Sequence, residues 1–269
     1  TKSELLDAGL VVQNKNGGLY DKFRNRLMLP VIDTRGDVVA FGSRVLDKSE
    51  PKYMNSSETP VYSKRRVLYG LNLAKKSKRS NIILCEGNLD IVTLHQAGFD
   101  NAVASMGTAL TVEQTRLLSR YTKELVLCYD NDNAGKIATE RALQILNGSE
   151  FNVKVLQLPR RLVDGEYVKQ DADDFIKFQG PDAFERLLNG SENGVEFRMA
   201  QIAGKYDLKD DEARIAYCEE ISGLLASLPS AVEREIYTAR AAEAAGITKA
   251  AMALEVKQAF RRRASKEKR

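Results

Sequence analysis

Carboxylates are concentrated in three short stretches of this chain: Cys85-Glu86-Gly87-Asn88-Leu89-Asp90, Tyr129-Asp130-Asn131-Asp132-Asn133-Ala134-Gly135 and Asp171-Ala172-Asp173-Asp174-Phe175. In the first two, an apolar β-rich run (residues 81–85 and 125–129) stops at an acid, and a small residue then opens a helix-like pattern. In a parallel sheet of βα units such strand ends share one edge, the crevice where these folds take ligands. Two like charges ~4 Å apart repel by roughly 4 kcal/mol at an effective dielectric near 20, so a group of carboxylates gathers there only around cations. Acid-rich, all-oxygen clusters suit Mg²⁺ or Mn²⁺, which bridge phosphate oxygens and stabilise the attacking and leaving groups of phosphoryl transfer. One acid at a strand end is equally well an N-cap for the next helix. Three such sites on successive βα units are poorly explained that way.

The elements that must position these acids follow from the apolar pattern. Units read as strand 81–86 with helix 88–97, strand 101–105 with a helix opened by a Thr111/Gln114 capping box, strand 124–130 with helix 134–147, and strand 152–158. Residues 156–176 are less regular. Upstream, residues 3–8 read as the end of a helix. Leu27 to Ile32 and Val38 to Val45 then form a hairpin around the turn Asp33-Thr34-Arg35-Gly36. Lys22, Arg24, Arg26, Arg44, Lys52 and Lys64 lie along this segment, interleaved with Tyr20, Phe23, Phe41, Tyr53, Tyr62 and Tyr69. Cations with aromatics on an extended sheet suit single-stranded nucleic acid, the charges following phosphates and the rings stacking on bases. A solvated polar face with core aromatics is the plainer alternative. Residues 75–80 read as a basic linker. From about residue 191 the pattern turns helical, with Ile215, Cys218, Ile221, Leu225 and Leu228, then Val232, Ile236, Ala239 and Ala242, read as core stripes. The end, from Arg261 to Arg269, reads as a charged tail, either a solvated terminus or the start of a linker.

Composition narrows the class. The 269 residues allow one large or two to three small domains, and 43% hydrophobic residues suffice for cores. The net charge of +4 is unevenly spread. No run approaches a membrane helix and no signal peptide opens the chain, so a soluble, cytoplasmic protein is expected. Cys85, Cys128 and Cys218 are far apart and read as reduced core residues, with no zinc site expected; the single histidine, His95, is a poor catalytic candidate.

Glu-Gly-x-x-Asp after one strand, Asp-x-Asp-x-Ala-Gly after a later one and a further acidic pair resemble the Toprim domain shared by bacterial primases, type IA and type II topoisomerases and some nucleases. Arg24-Asn25-Arg26-Leu27-Met28-Leu29-Pro30, Phe41-Gly42-Ser43-Arg44-Val45-Leu46 and Pro51-Lys52-Tyr53-Met54-Asn55-Ser56 resemble the basic subdomain of the catalytic core of bacterial replicative DNA primase. The likeness runs from about residue 4 to about residue 258. It implies an α/β fold: a central Toprim-type parallel-sheet domain (81–190), a basic α+β N-terminal subdomain (1–80) and an α-helical C-terminal subdomain (191–269). It also implies that Lys22, Arg24, Arg26, Arg44, Lys52, Tyr53 and Lys64 face template or nucleotide. Glu86, Asp130 and Asp132 would be catalytic, and Glu86, Asp90, Asp130, Asp132, Asp171 and Asp173 would hold two or three Mg²⁺ or Mn²⁺ ions. Glu86 is a ligand or an acid/base, Asp90 binds metal or orients Glu86, and Asp173 and Asp174 compete for one role. Two departures stand out: a longer loop, Pro159 to Gln170, before an Asp-Ala-Asp where the family has Asp-Pro-Asp, and Asn88-Leu89 in place of Tyr and Met.

The expected activity is RNA primer synthesis on single-stranded DNA from ribonucleoside triphosphates at the replication fork. In the full-length protein the partners would be the replicative helicase and single-strand-binding protein. The chain, starting at Thr1 in an apparent mid-helix position, is expected to be a fragment without the family's zinc-ribbon and helicase-binding domains. A Toprim nuclease and a non-catalytic single-strand-binding module are the rival readings.

Overall fold

Thr1 caps α1 (Lys2–Asp7): its hydroxyl accepts from the Glu4 N–H at 3.3 Å and the Glu4 carboxylate accepts from the Thr1 amino group, a reciprocal capping box. The computed structural model describes residues 1–163 and 165–267.

β1 (Val11–Gln13) and β2 (Leu19–Asp21) pair antiparallel. β3 (Arg26–Ile32) and β4 (Val38–Val45) form the expected hairpin, its turn fixed by Asp33, whose carboxylate accepts from the N–H groups of Arg35, Gly36 and Asp37. β5 (Tyr53–Asn55) adds to the free edge of β4 with Arg44 opposite Tyr53 and Gly42 opposite Asn55. This register is what places a guanidinium beside an aromatic ring.

After α2 (Leu71–Ala74) come the βα units: β6 (Asn81–Cys85), α3 (Asn88–Gln96), β7 (Ala102–Ala104), α4 (Val112–Leu118), β8 (Glu124–Leu127), α5 (Asn133–Leu146) and β9 (Asn152–Val155). The Thr111/Gln114 capping box opens α4 as read from the sequence. The four strands are parallel in the order β9-β8-β6-β7. β7 lies on one side of β6 and β8 on the other, so the chain reverses direction beside β6 and a crevice opens at the strands' carboxyl ends. Ile82, Ile83, Leu84, Leu125, Val126 and Leu127 are all buried, as continuous apolar runs in a two-sided sheet must be.

Beyond β9 the structure is more regular than expected. β10 (Arg161–Val163) and β11 (Glu166–Val168) form a three-pair antiparallel hairpin. α6 (Ala172–Gln179) and α7 (Pro181–Asn189) then pack Phe175 and Phe184 edge-to-face, with Phe99 against Phe184 at 4.7 Å. Residues 75–80 are not a free linker: Lys75 donates to the Thr34 carbonyl, and Arg79 makes a two-pronged bond to Glu185 (3.1 and 2.9 Å) while lying 4.8 Å over the Phe99 ring. These contacts help make Thr1–Ile145 and Phe151–Ser191 one compact unit.

The second unit, Leu146–Glu150 with Glu192–Arg269, is helical: α8 (Gly194–Ala203), α9 (Asp211–Ala226), α10 (Ala231–Ala245) and α11 (Lys249–Glu267). Its core holds Tyr217, Ile221, Leu225, Leu228, Ala241, Ala242 and Met252. The expected stripes are partly wrong. Ile215, Val232 and Ile236 are exposed by 62%, 69% and 48%. Ala242 is buried as expected, and Thr238, Ala241 and Ala245 complete the buried face of α10, small residues that let it come close to α9 and α11. The charged tail is helical through Glu267, its Ala, Lys, Arg and Glu residues being good helix formers. No helix among the described residues is long and apolar enough to cross a membrane.

Candidate metal centre and nucleotide cleft

β6 and β8 each end in a buried apolar run and hand the chain to a helix, so Glu86 and Asp130 emerge side by side at the crevice. The backbone N–H of Asp130 points to Glu86 Oε1 at 3.4 Å. Gly135, at the start of α5, packs against the backbone of Asp130 so closely that a Cβ there would lie 1.9 Å from the Asp130 carbonyl oxygen. Only glycine permits that approach. The Gly135 N–H donates to Asp132 at 2.8 Å, anchoring the second acid of the pair. From the other direction Asp171 caps α6 by accepting from the Asp174 N–H at 2.7 Å. Oxygens of Asp171, Asp173 and Asp174 lie within 4.8 Å of one another.

Asp90 joins these two groups. It is buried, and its two carboxylate oxygens accept from the Gly87 N–H and the Asp173 N–H, both at 3.2 Å. It thus ties α3 to α6 rather than bonding to Glu86. Asp173 is itself held by the Thr93 hydroxyl and by the Lys177 ammonium at 2.5 Å.

Together Glu86, Asp90, Asp130, Asp171, Asp173 and Asp174 line a cleft of about 420 Å³, and Arg44, Lys52 and Tyr53 line the same cleft. Arg44 and Lys52 lie 5.6 and 5.5 Å from the centroid of the Tyr53 ring. Asp132 lies outside the lining and is joined to Asp130 by Lys169, whose ammonium is 2.9 Å from Asp132 and 3.7 Å from Asp130. The remaining predicted cations stand elsewhere. Lys22 donates to the Ser57 hydroxyl, and burial followed by the nearby Lys64 charge lowers its ammonium pKa. Arg24 lies over the Tyr20 ring, and one Arg26 guanidinium nitrogen is buried without a partner.

The electrostatics show an acid cluster short of positive charge. Burial pushes Glu86, Asp130 and Asp171 above the usual carboxylate range, and Asp130 adds repulsion on Glu86. Burial, reinforced by Asp171, lifts Asp90 to about 7. Asp132 goes the other way, lowered by the Gly135 N–H and by Lys169. An all-oxygen donor set, raised carboxyls and a lysine ammonium already seated between two of the acids all fit a divalent cation.

Sequence reasoning missed Lys169, because nothing in its spacing marks it, and also the Ser43, Asn55 and Met106-Gly107 lining. Met106 carried a signal only structure could read: its φ of 62° is left-handed, and its carbonyl accepts from the Asn55 side chain at 3.1 Å. Asn88, noted as a departure, lines the cleft with its Oδ1 buried and unpartnered. His95 bonds through Nε2 to the Ala102 carbonyl at 2.9 Å, an ordinary structural role. Cys85, Cys128 and Cys218 are free thiols, the first two buried.

Comparison with known proteins covers nearly the whole chain. Residues 1–75 match the family described as the DNA primase catalytic core N-terminal domain, 83–176 a Toprim-like family, and 195–250 the DnaB-helicase binding domain of primase. The last match corrects the expectation that a helicase-binding domain is absent. DNA primase of Clostridium acetobutylicum is 42% identical over 253 residues, 94% of this chain but 41% of that protein, so the chain spans under half the length of this relative. A solved DNA primase domain from Pseudomonas aeruginosa superposes with a TM-score of 0.79 at 34% identity, covering 95% of this chain and 79% of that one. A DnaG primase catalytic domain solved bound to ssDNA gives 0.78 at 33%, covering 93% and 77%.

Proposed function

The chain belongs to the DNA primase family, and from that premise we propose that it carries the nucleotidyl-transfer centre for RNA primer synthesis on a single-stranded DNA template. The observation that carries this reading is the cleft itself, which six carboxylates line together with Arg44, Lys52 and Tyr53. Glu86, Asp130 and Asp132 would hold one divalent ion, and Asp171 with Asp173 or Asp174 a second, with Mg²⁺ or Mn²⁺ suited to the oxygen donors. Metal bound there would neutralise the triphosphate and favour attack by the primer 3′-hydroxyl. Arg44 and Lys52 meet phosphates, and Tyr53 offers its face to a base. Asp90 keeps α3 and α6 in register so that both acid groups address the same space.

Primer extension on a single-stranded template with labelled ribonucleotides and Mg²⁺ or Mn²⁺ tests this. Products are expected with metal and none with EDTA. Metal-dependent cleavage of DNA without nucleotides would instead support the nuclease reading. A second role rests on a separate observation: residues 195–250 match the family described as the DnaB-helicase binding domain of primase, which supports docking of a replicative helicase through this region.

A further inference from the structure

We propose that Lys169 is a tethered counter-cation of the Asp130–Asp132 pair, which a divalent ion must displace, so that this lysine sets the metal affinity of the site. The inference rests on the metal-binding reading above and adds a residue to it. Its basis is geometric. One ammonium lies within reach of both carboxylates, 2.9 and 3.7 Å from oxygens that belong to different residues. An ion bridging those oxygens and an ammonium in the same space exclude each other, since a +1 and a +2 charge at such range repel strongly even at high dielectric.

The lysine is presented, not left on a loose loop. The β10–β11 hairpin precedes it, with Arg161 stacked 3.7 Å over the Phe178 ring, and Asp171, two residues on, caps α6. Between them Gln170 is buried and donates through Nε2 to the Pro159 carbonyl at 2.6 Å, drawing the two ends of the excursion together. Lys169 therefore leaves a fixed point at the rim of the acid cluster. Its side chain is nevertheless 60% exposed, so the ammonium can swing into water once an ion takes its place. This assigns a purpose to the excursion from Pro159 to Gln170: it carries a removable charge to the metal position.

Mn²⁺ titration of the metal-free chain, followed by the electron paramagnetic resonance signal of free Mn²⁺, tests the idea without reference to activity. Lys169→Met is expected to bind Mn²⁺ roughly tenfold more tightly than wild type, the order given by removing one unit charge at contact distance in a largely solvated site. Lys169→Arg, which keeps the charge, is expected to retain wild-type affinity. In EDTA the Lys169→Met thermal midpoint is expected to fall, because the carboxylate pair loses its only bridging cation among the described contacts; a merely structural lysine would not move the two readouts in opposite directions. Wild-type affinity in Lys169→Met overturns the proposal while leaving the metal centre intact. Absence of Mn²⁺ binding by wild type itself overturns the metal centre, and the proposal with it.

Discussion

Asp90→Asn in the metal-free chain offers a pH signature that can be worked from the structure. The native carboxyl is raised to about 7 from 3.8, first by burial and then by Asp171. A raised acid costs nothing below its unfolded value, where both states hold the proton. The penalty grows as pH climbs from about 4 to about 7 and is complete above that, reaching roughly 4 kcal/mol. Near pH 5 only about 1–2 kcal/mol of it has developed. Asparagine removes the charge but keeps one acceptor, so one of the two backbone bonds, to Gly87 or to Asp173, is lost at about 1 kcal/mol. The variant should therefore be nearly neutral around pH 5 and more stable than wild type by about 2–3 kcal/mol around pH 8. Urea unfolding in EDTA at the two pH values measures this. A stability difference that is the same at both, or that shrinks as pH rises, would show that Asp90 is not the strained acid described here.

Three other outcomes are expected. Saturating Mn²⁺ should raise the thermal midpoint by about 5–10 °C, with Asp130→Asn and Asp132→Asn each cutting that rise by half or more; equal shifts in all three proteins would remove these residues from the metal site. Arg44→Ala and Lys52→Ala should each weaken single-stranded DNA binding and reduce its log–log salt slope by about 0.7, and an unchanged slope would take that residue out of phosphate contact. Gly135→Ala must push a methyl into the Asp130 carbonyl and should cost at least about 1–3 kcal/mol while weakening Mn²⁺ binding, so a variant with wild-type melting and affinity would refute the close packing.

The positions of Glu86 and Asp130 were legible because two strong local signals coincide there. A fully apolar strand ends, and an acid and a small residue follow, so the strand period and the turn chemistry agree. The capping box at Thr111 was legible for the same reason. What the sequence did not disclose was any relation set by tertiary contact. Arg44 and Tyr53 meet because of a cross-strand register fixed by β4 and β5, not by their spacing. Asp90 stands four residues after Glu86, but its bonds run to its own cap and across to α6. The β10–β11 hairpin is short, with exposed Leu162 and Tyr167, so it shows too little alternation to be seen. On α10, Val232 and Ile236 matched the helical period as well as Ala241 and Ala245 do, and only packing decided which face was buried.

The walls of the cleft are drawn from segments that lie far apart along the chain: β4 and β5 before residue 56, the ends of β6 and β8, and the start of α6 after residue 170. Each of these loops must close, at an entropic cost that precedes any gain, before the carboxylates share one space. The cleft is therefore expected to form late in folding. On a ribosome releasing the chain from its N-terminus, Glu86 and Asp130 emerge well before Asp171. Until α6 docks and the Asp173 N–H reaches Asp90, a nascent chain can display half a cation site and no cleft. Divalent-ion affinity then serves as a clock for the last long-range step, and a chain stalled before residue 171 would be expected to bind ions weakly however well its first strands had paired.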